Sequence, residues 1–502
     1  MAQSYPAQQS VPYASGATPM SETVLPPLPL TEEKPNVGKP TMVVSSLFHL
    51  VYPYAWTGND QLVAQIQTTP HAISAQAAED QIMVHRCVLE HRKSNALTPY
   101  NHEAWTTSLQ CHHLNEQYSN IPQGIQEGFS AGICRIICTY VLPNGSSVEK
   151  HADIYQEIED KEFRKGRYLS PFFQCEVEGL IGPFQSSPLS LVPKPSKLMS
   201  LCTVHNFSSP HSPLSSISSI NSSININNFS CTWGTFNTVA SLISNLPPGS
   251  QASICDVAEA YHMIPIISSE WPGLVIQLQG SDRFAINTSN NFGLSLAGGV
   301  YGHLADAGAD IFWAEGIGPL SKWVDDHIFF RIPKKELFNY NQLHQDQHRC
   351  ITENSGYHCK GSRIWYCGSK MVDDRLKEFN EDNSRALKDL SSFSSPDCLY
   401  TYSDVDIDNV SNHLGIPWEG SKTVPFGPVV PYLGFRWDLD AKTVSLLEHK
   451  KEKYLLCISE WCQRHTHTLI QVQSLYGNLF HSCLVIEGQA YLTSLEAMLS
   501  IC

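Results

Sequence analysis

The 502-residue chain carries 33 Lys and Arg against 48 Asp and Glu, a formal net charge of −15. This acidic balance excludes a general electrostatic attraction to nucleic acid or to an anionic membrane, so any site for a polyanion must be local. The length accommodates about three average domains, and no apolar run approaches the roughly 20 residues that span a bilayer. The 16 cysteines are scattered without CxxC pairs, which is typical of reduced thiols. We therefore expect a multi-part intracellular protein, nuclear or cytoplasmic, without a membrane partner.

The N-terminal third shows little that indicates function. Residues 1–40 are rich in Pro, Ser, Gln and Thr without apolar periodicity, which predicts a disordered leader. Residues 41–160 predict a mainly helical region of unknown role, with a helix over Ala75–Arg92, where apolar residues recur at helical spacing. The apolar run Gly132–Leu142, which ends at a Pro-Asn-Gly turn, predicts a strand.

Three later segments have a composition that predicts their structure. Ser208–Ser230 is rich in Ser, Asn and Ile between two motif-bearing segments; this favours an extended loop, with disorder as the alternative. The alternating acids Asp404, Asp406 and Asp408 predict a solvated loop, because they lack the Gly and distal Glu of a calcium-binding loop. Thr443–Cys502 predicts helices with a basic cluster on one face.

The positions of three carboxylates next to predicted strands indicate that the three share one cleft. Asp256 closes the short apolar run Ala252–Val257, and Asp325-Asp326 lies between apolar groups in Leu320–Ile332, the pattern of a hairpin with an acidic tip. Adjacent side chains on a strand point to opposite faces, so both acids share one cleft only if the backbone turns beside them. We expect a tight turn at Asp325-Asp326.

Convergent carboxylates repel one another unless cations neutralise them. Hard oxygen ligands with open coordination positions suit Mg²⁺ that is shared with substrate phosphates, with Mn²⁺ as a substitute. The matching reaction is two-metal phosphoryl transfer, in which one ion activates a hydroxyl and the other stabilises the leaving pyrophosphate. An acidic pair at a hairpin tip is on its own weak evidence, because such residues are common and usually solvated.

A series of ordered motifs strengthens the metal-site interpretation. In this order the chain contains EFRKGRY (162–168), LIGPF (180–184), SPLSLVPKP (187–195), DVAEAY (256–261), FG (292–293), WVDD (323–326), LGIPW (414–418) and YLGF (432–435). Together they resemble the reverse transcriptases of retroelements (retrotransposons), RNA-directed DNA polymerases, particularly tyrosine-recombinase-type elements and related open reading frames of mushroom-forming fungi. The resemblance covers residues of roughly 165 to 502.

The resemblance implies an α+β fold of the right-hand polymerase class, with fingers, palm and thumb and an antiparallel palm sheet backed by helices. Residues 161–442 would form the fingers and palm. Residues 443–502 would form the thumb and connection, and the chain ends before any ribonuclease H domain is expected.

The resemblance also implies a catalytic group. Asp256, Asp325 and Asp326 would bind the metal ions together with the main-chain carbonyl of Val257. Lys422 would act as general acid beside the leaving pyrophosphate.

Binding roles follow from the same resemblance. Lys194 would contact the nucleotide phosphates, and Tyr261 would be the steric gate against a ribose 2′-hydroxyl. Phe292 and Gly293 would lie along the nucleotide. The primer grip would be formed by Tyr432, Leu433 and Gly434.

The implied function is a nucleotidyltransferase that extends a primer with deoxynucleoside triphosphates on an RNA or DNA template. One position departs from the family: Cys202 stands where a phosphate-binding Arg is expected, and a thiol does not replace a bidentate guanidinium. This departure favours the alternative of a catalytically inactive, domesticated or relic polymerase fold that binds nucleic acid or protein. A template-independent nucleotidyltransferase would need neither the fingers nor the primer-grip motifs.

Overall fold

The computed structural model divides the chain into two compact units. One contains the described residues up to 447, and the other contains those from 448 onward. The model describes residues 75–193, 201–211, 215, 217–229, 231–354, 357–360, 363–367, 379–383, 385–391, 398–463 and 466–485. The predicted leader and the phosphate-contacting Lys194 lie outside the described residues.

Among the described residues, five helices precede the first strand. The predicted helix over Ala75–Arg92 is confirmed, and it extends to Ser94. The later helices pack against the rest of the larger unit through long-range contacts: the Trp105 indole donates a hydrogen bond to the Leu414 carbonyl, and the Tyr118 hydroxyl donates one to Asp310. The five helices are α1 (Ala75–Ser94), α2 (His102–Cys111), α3 (Ile121–Glu127), α4 (Ser146–Lys150) and α5 (Ala152–Arg164).

The strand predicted over Gly132–Leu142 is wrong. This segment has no ladder, and only Tyr140 forms an isolated bridge, to Gln185. Its apolar side chains do not share a buried face, since Ile137 is 79% exposed. A period-2 pattern produces a strand only where a neighbouring strand pairs with it.

A four-stranded antiparallel sheet forms the centre of the larger unit, in the order β12-β4-β8-β7. The long helix α8, buried along nearly its whole length, packs against it, with the Phe312 and Phe329 rings edge to face. The two central strands, β4 and β8, are each buried at five consecutive positions, so side chains on both faces of the sheet are covered. The elements involved are α7 (Phe236–Asn245), β4 (Gln251–Asp256), α8 (Ala297–Glu315), β7 (Leu320–Trp323), β8 (Asp326–Arg331) and β12 (Val424–Gly427).

Smaller antiparallel sheets surround the central one. Their strand orders are β1-β6-β5, β2-β3, β11-β10-β9 and β13-β14-β15. The α+β class is therefore confirmed, since all the strand ladders are antiparallel and helices flank them. The bounds are β1 (Tyr168–Phe173), α6 (Gln174–Ile181), β2 (Leu189–Pro193), β3 (Leu201–His205), β5 (Val275–Gln277), β6 (Arg283–Asn287), α9 (Leu337–Asn354), β9 (Tyr357–Lys360), β10 (Arg363–Cys367), β11 (Phe379–Asn383), α10 (Asp404–Leu414), β13 (Val429–Tyr432), β14 (Phe435–Asp438) and β15 (Thr443–Leu446).

Two further predictions are corrected. Asp404, Asp406 and Asp408 belong to helix α10 rather than to a loop, because Ser403 is the N-cap residue and its backbone N–H and hydroxyl both donate hydrogen bonds to the Asp406 carboxylate. The stretch predicted as helical from Thr443 begins instead with strand β15, which pairs with β14. Within the described part of Ser208–Ser230 the backbone is irregular apart from one 3₁₀ turn, as the loop prediction expects.

The described part of the smaller unit contains two helices, α11 (Glu448–Cys462) and α12 (Leu469–Cys483). Tyr454 and His481 join them by a hydrogen bond of 3.1 Å. Helices are therefore confirmed for the described part of the predicted C-terminal segment. Among all described helices, none combines the length and apolar character that a membrane crossing requires.

Candidate metal and nucleotide site

The carboxylate cluster consists of Asp256, Asp325 and Asp326, and it lies at one end of the central sheet. One carboxylate oxygen from each residue lies within 4.8 Å of the others. Asp256 is the last residue of β4 and Asp326 the first of β8, and the two are directly paired across the ladder. The buried apolar strands on either side hold both backbones in register. Residues far apart in sequence therefore present their acids at one point.

The hairpin between β7 and β8 brings the third acid into the cluster. Trp323 pairs with Asp326, so the two-residue turn is Val324-Asp325 and not Asp325-Asp326 as the sequence predicts. Val324 adopts a φ of 53°, which is rare for a β-branched residue. This turn removes Asp325 from the strand alternation, so it reaches the same cleft as Asp326. Such a backbone outlier at a group of acids is typical of functional sites.

Hydrogen bonds from neighbouring segments fix the cluster's backbone. The Val257 N–H donates to the Asp325 carbonyl at 2.9 Å, which ties β4 to the hairpin turn. The Glu419 N–H donates to the Asp256 carbonyl at 2.8 Å. The buried Tyr432 hydroxyl donates to the Asp326 carbonyl at 3.1 Å. Each acid therefore sits on a main chain that is held by a different part of the fold.

The proximity of the acids disfavours their ionisation. Burial, followed by the charges of Asp325 and Asp256, raises the pKa of Asp326 to about 7. Burial is also the largest cause that raises the pKa of Asp325, and Asp256 adds to it. The metal-free cluster therefore stores electrostatic repulsion that a cation would relieve.

Lys422 is the cation that the structure places at the cluster. Its Nζ donates to both carboxylate oxygens of Asp256, each at 2.8 Å. Partial burial opposes the charged ammonium, but the hydrogen bond to Asp256 and the nearby acids raise the pKa of Lys422 above its ordinary value. The fold thus places Lys422 next to Asp256, which is 166 positions earlier in the sequence. Both residues were predicted from the sequence to belong to the site.

The donor set fits a divalent metal. It consists of hard carboxylate oxygens only, partly open to solvent at Asp325 and Asp326, which matches the preference of Mg²⁺ for oxygen ligands with some positions left for water or phosphate. Among the described residues, this is the sole group of three or more acidic, His or Cys side chains close enough to hold a metal ion. The Val257 carbonyl belongs to the residue that follows Asp256, and its role as a ligand stays a prediction.

Three of the residues predicted to bind the nucleotide, Tyr261, Phe292 and Gly293, lie close together. Tyr261 lies in the turn after β4, and its ring centroid is 4.8 Å from that of the half-exposed Phe292. Gly293 has a φ of 102°, and a Cβ there would lie 2.1 Å from the His205 carbonyl oxygen at the end of β3. Only glycine allows β3 to approach this closely.

Cys202 is the second residue of the same strand β3 and is paired with Val192. Its thiol faces the Val192 carbonyl oxygen at 3.6 Å, and the residue is partly exposed. Cys202 therefore offers a thiol, and not a guanidinium, at this position of the strand.

The predicted primer-grip residues Leu433 and Gly434 form the two-residue turn between β13 and β14. Their φ values are 53° and 82°, which is the conformation that a type I′ hairpin turn requires.

Sequence reasoning missed the ionic network around Glu259. This residue adopts a φ of 49° three positions after Asp256, and it forms ion pairs with Lys161, Lys165 and Arg167. These cations lower the pKa of Glu259 far below its usual range, against the opposing effect of burial. The sequence signal for this network was one acid, Glu259, inside the Asp256–Tyr261 motif. Its three cationic partners are more than 90 positions earlier in the sequence, so their pairing with Glu259 was not predicted.

Replacing Tyr432 with Phe is expected to loosen the hairpin turn. The variant loses a buried hydrogen bond worth about 1 kcal/mol of the free energy of unfolding, and we expect Mn²⁺ affinity to fall by about threefold because Asp326 is less well positioned. Urea denaturation and Mn²⁺ titration measure the two effects.

Tyr402→Phe is the matched control. The Tyr402 hydroxyl donates to the Phe330 carbonyl at 2.7 Å, on the same strand β8 but away from the turn. We expect a similar loss of stability with unchanged Mn²⁺ affinity. Equal losses of metal affinity in both variants would contradict the positioning role of Tyr432.

No family model and no curated protein matches the chain. Solved structures of foamy viral protease-reverse transcriptase are similar to it. A complex with double-stranded DNA is 13% identical with a TM-score of 0.43, over 87% of this chain and 58% of that chain. A complex with an RNA/DNA hybrid is 13% identical with a TM-score of 0.40, over 86% and 47%. A further double-stranded DNA complex is 12% identical with a TM-score of 0.41, over 84% and 66%.

This chain thus spans less than two thirds of the length of each of these three proteins. The tyrosine-recombinase-type character of the sequence resemblance stays a prediction.

Proposed function

We propose that this protein is a reverse transcriptase-like polymerase that extends a primer with deoxynucleotides on an RNA or DNA template. The observation that carries the proposal is the convergence of Asp256, Asp325 and Asp326 within 4.8 Å at a hairpin turn. Two bound Mg²⁺ ions would lower the pKa of the attacking primer hydroxyl and stabilise the leaving pyrophosphate. Asp256, Asp325 and Asp326 would hold these ions through their carboxylate oxygens.

The protein's own residues have the following proposed roles. Tyr261 and Phe292 form an aromatic wall beside the cluster, on which a sugar and base can be positioned. Lys422 holds a proton on Nζ within 2.8 Å of the Asp256 oxygens, where it can be given to a leaving phosphate oxygen. Lys194 would contact the nucleotide phosphates. This role rests only on the resemblance of the motif at residues 187–195.

We assign the sheets to the parts of a right-hand polymerase as follows. The central sheet β12-β4-β8-β7 would be the palm, because it holds the carboxylate cluster. The hairpin β13-β14 would be the primer grip, because its Tyr432 contacts the turn that carries the acids. Strands β1 to β3, β5 and β6 would be the fingers, and helices α11 and α12 the thumb.

Cys202 favours a second candidate function, a polymerase fold that binds nucleic acid or protein without catalysis. An arginine at this position of β3 would bind a phosphate through two charge-assisted hydrogen bonds, which a thiol does not form. Retention of the full carboxylate cluster opposes this alternative, because three close acids destabilise the metal-free protein and a binding scaffold has no need of them.

Incorporation of labelled deoxynucleotide on primed RNA and primed DNA, with Mg²⁺ or Mn²⁺, tests the proposal. We expect metal-dependent incorporation by the wild type and none by Asp325→Asn. The exposed Asp282→Asn, which makes the same charge change away from the cluster, is the control. Incorporation that survives in Asp325→Asn would overturn the proposed site, and a folded, inactive wild type would favour the binding function.

A further inference from the structure

We propose that Lys422 is a built-in counter-cation of the carboxylate cluster, which neutralises Asp256 in the metal-free protein and is displaced when a divalent metal binds. The inference rests on one part of the proposed function, the binding of a divalent metal by the carboxylate cluster, and it does not require that the protein polymerises nucleotides. It assigns Lys422 a role before catalysis, in addition to that of general acid.

The geometry around Asp256 carries the proposal. The Lys422 ammonium lies 2.8 Å from both oxygens of the same carboxylate, so it contacts both of the atoms through which Asp256 would bind a metal. The Asp256 side chain is only 6% exposed, which leaves few other directions of access. Since Mg²⁺ binds carboxylate oxygens at about 2.1 Å, the ammonium and the metal ion compete for the same oxygens and repel each other.

The backbone around Lys422 allows the side chain to leave while its main chain stays. Lys422 ends a 3₁₀ turn, Gly420–Lys422, that is anchored through the Glu419 N–H to the Asp256 carbonyl. Two residues later, Val424 pairs with Ile254 of β4. The Lys422 side chain itself is 58% exposed, and its four-carbon stem can rotate into solvent at small cost.

Displacement has two consequences. The metal-free protein avoids a bare trio of carboxylates, because the ammonium offsets part of their repulsion. Metal binding must in turn break the Lys422–Asp256 ion pair, which weakens the apparent metal affinity. The released ammonium remains attached next to the site, where a phosphate can take the place of Asp256 as its partner.

Mn²⁺ titration of the full-length protein, without nucleotide or nucleic acid, tests the competition. Lys422→Gln keeps a long polar side chain but removes the charge. We expect its dissociation constant for Mn²⁺ to be about tenfold lower than that of the wild type, the size expected for losing a partly exposed ion pair in a site of like charges. Lys150→Gln, at an exposed lysine of α4, makes the same charge change and is expected to leave Mn²⁺ affinity unchanged.

Amine acylation followed by mass spectrometry tests the displacement in the wild type. We expect saturating Mn²⁺ to increase acylation of Lys422 several-fold while Lys150 is unaffected, because the Lys422 Nζ would no longer lie against the Asp256 carboxylate and would be open to the reagent. Unchanged or weaker Mn²⁺ binding by Lys422→Gln, or acylation of Lys422 that does not respond to Mn²⁺, would overturn the proposal. Neither readout depends on nucleotide incorporation, so an inactive protein that still shows both effects would refute only the polymerase function.

Discussion

Asp326→Asn is expected to abolish nucleotide incorporation and at the same time to stabilise the metal-free protein. The loss of activity should be at least about 10³-fold, because the amide is a poor ligand for the metal that the cluster would hold. The gain in stability has a separate cause: Asp326 is paired across the ladder with Asp256 and adjoins Asp325, and the neutral amide removes its repulsion with both.

The gain in stability should depend on pH. Burial and the neighbouring acids raise the pKa of Asp326 from 3.8 to about 7 in the folded protein. A raised carboxyl pKa means that the folded state holds its proton more tightly than the unfolded state, so stability is present at low pH and is lost as pH rises from about 4 to about 7. Without metal, the wild type should lose stability over this range, and Asp326→Asn should lose less.

Thermal unfolding in a chelator between pH 4 and pH 8, with incorporation assayed in parallel, measures both effects. Asp282→Asn, at an exposed acid, is expected to change neither. If Asp326→Asn melted below the wild type near pH 8 while remaining folded, the carboxylates would not be repelling one another as the geometry indicates.

Cys202→Arg is expected to increase nucleotide incorporation. Strand β3, which carries Cys202, ends against Gly293 of the nucleotide motif, with the His205 carbonyl at the point of closest approach. A guanidinium on this partly exposed strand position would add charge-assisted hydrogen bonds to a phosphate, each worth about 1.5–3 kcal/mol. We therefore expect KM for the deoxynucleotide to fall by about tenfold or more.

Steady-state incorporation with varied deoxynucleotide concentration measures this effect. Cys202→Gln is the control, because it lengthens the side chain without a charge and is expected to leave KM near the wild-type value. A gain from near-zero activity in Cys202→Arg alone would identify a polymerase that lost its phosphate contact. Equal KM values for all three proteins would show that this strand does not contact the nucleotide phosphates.

Sequence reasoning predicted the parts of the site whose signals are local. Asp256 and the Asp325-Asp326 pair stand out because each follows or divides a short apolar strand, and a hairpin is formed by neighbouring residues. The helix from Ala75 was predicted from its apolar periodicity, which reports on one element at a time. The α+β class, in contrast, was implied by the family resemblance.

Errors arose where a partner decides the structure. Gly132–Leu142 has the composition of a strand but pairs with a neighbouring segment only at Tyr140. Thr443 begins a strand and not a helix, because β14 lies beside it and supplies the ladder. In both segments, tertiary context overrides local propensity.

By itself, the sequence predicted which acids form the carboxylate cluster, and the resemblance implied an arginine at the position of Cys202. Tertiary structure alone decided three further features: the turn falls at Val324-Asp325, Lys422 pairs with Asp256, and the Tyr432 hydroxyl holds the Asp326 backbone. The physical reason is that ion pairs and buried hydrogen bonds depend on distances of about 3 Å between atoms. Tyr432 and Asp326 are 106 positions apart in the sequence, and Lys422 and Asp256 are 166 positions apart. Only the packing of the intervening sheet and helices sets the distances between such residues.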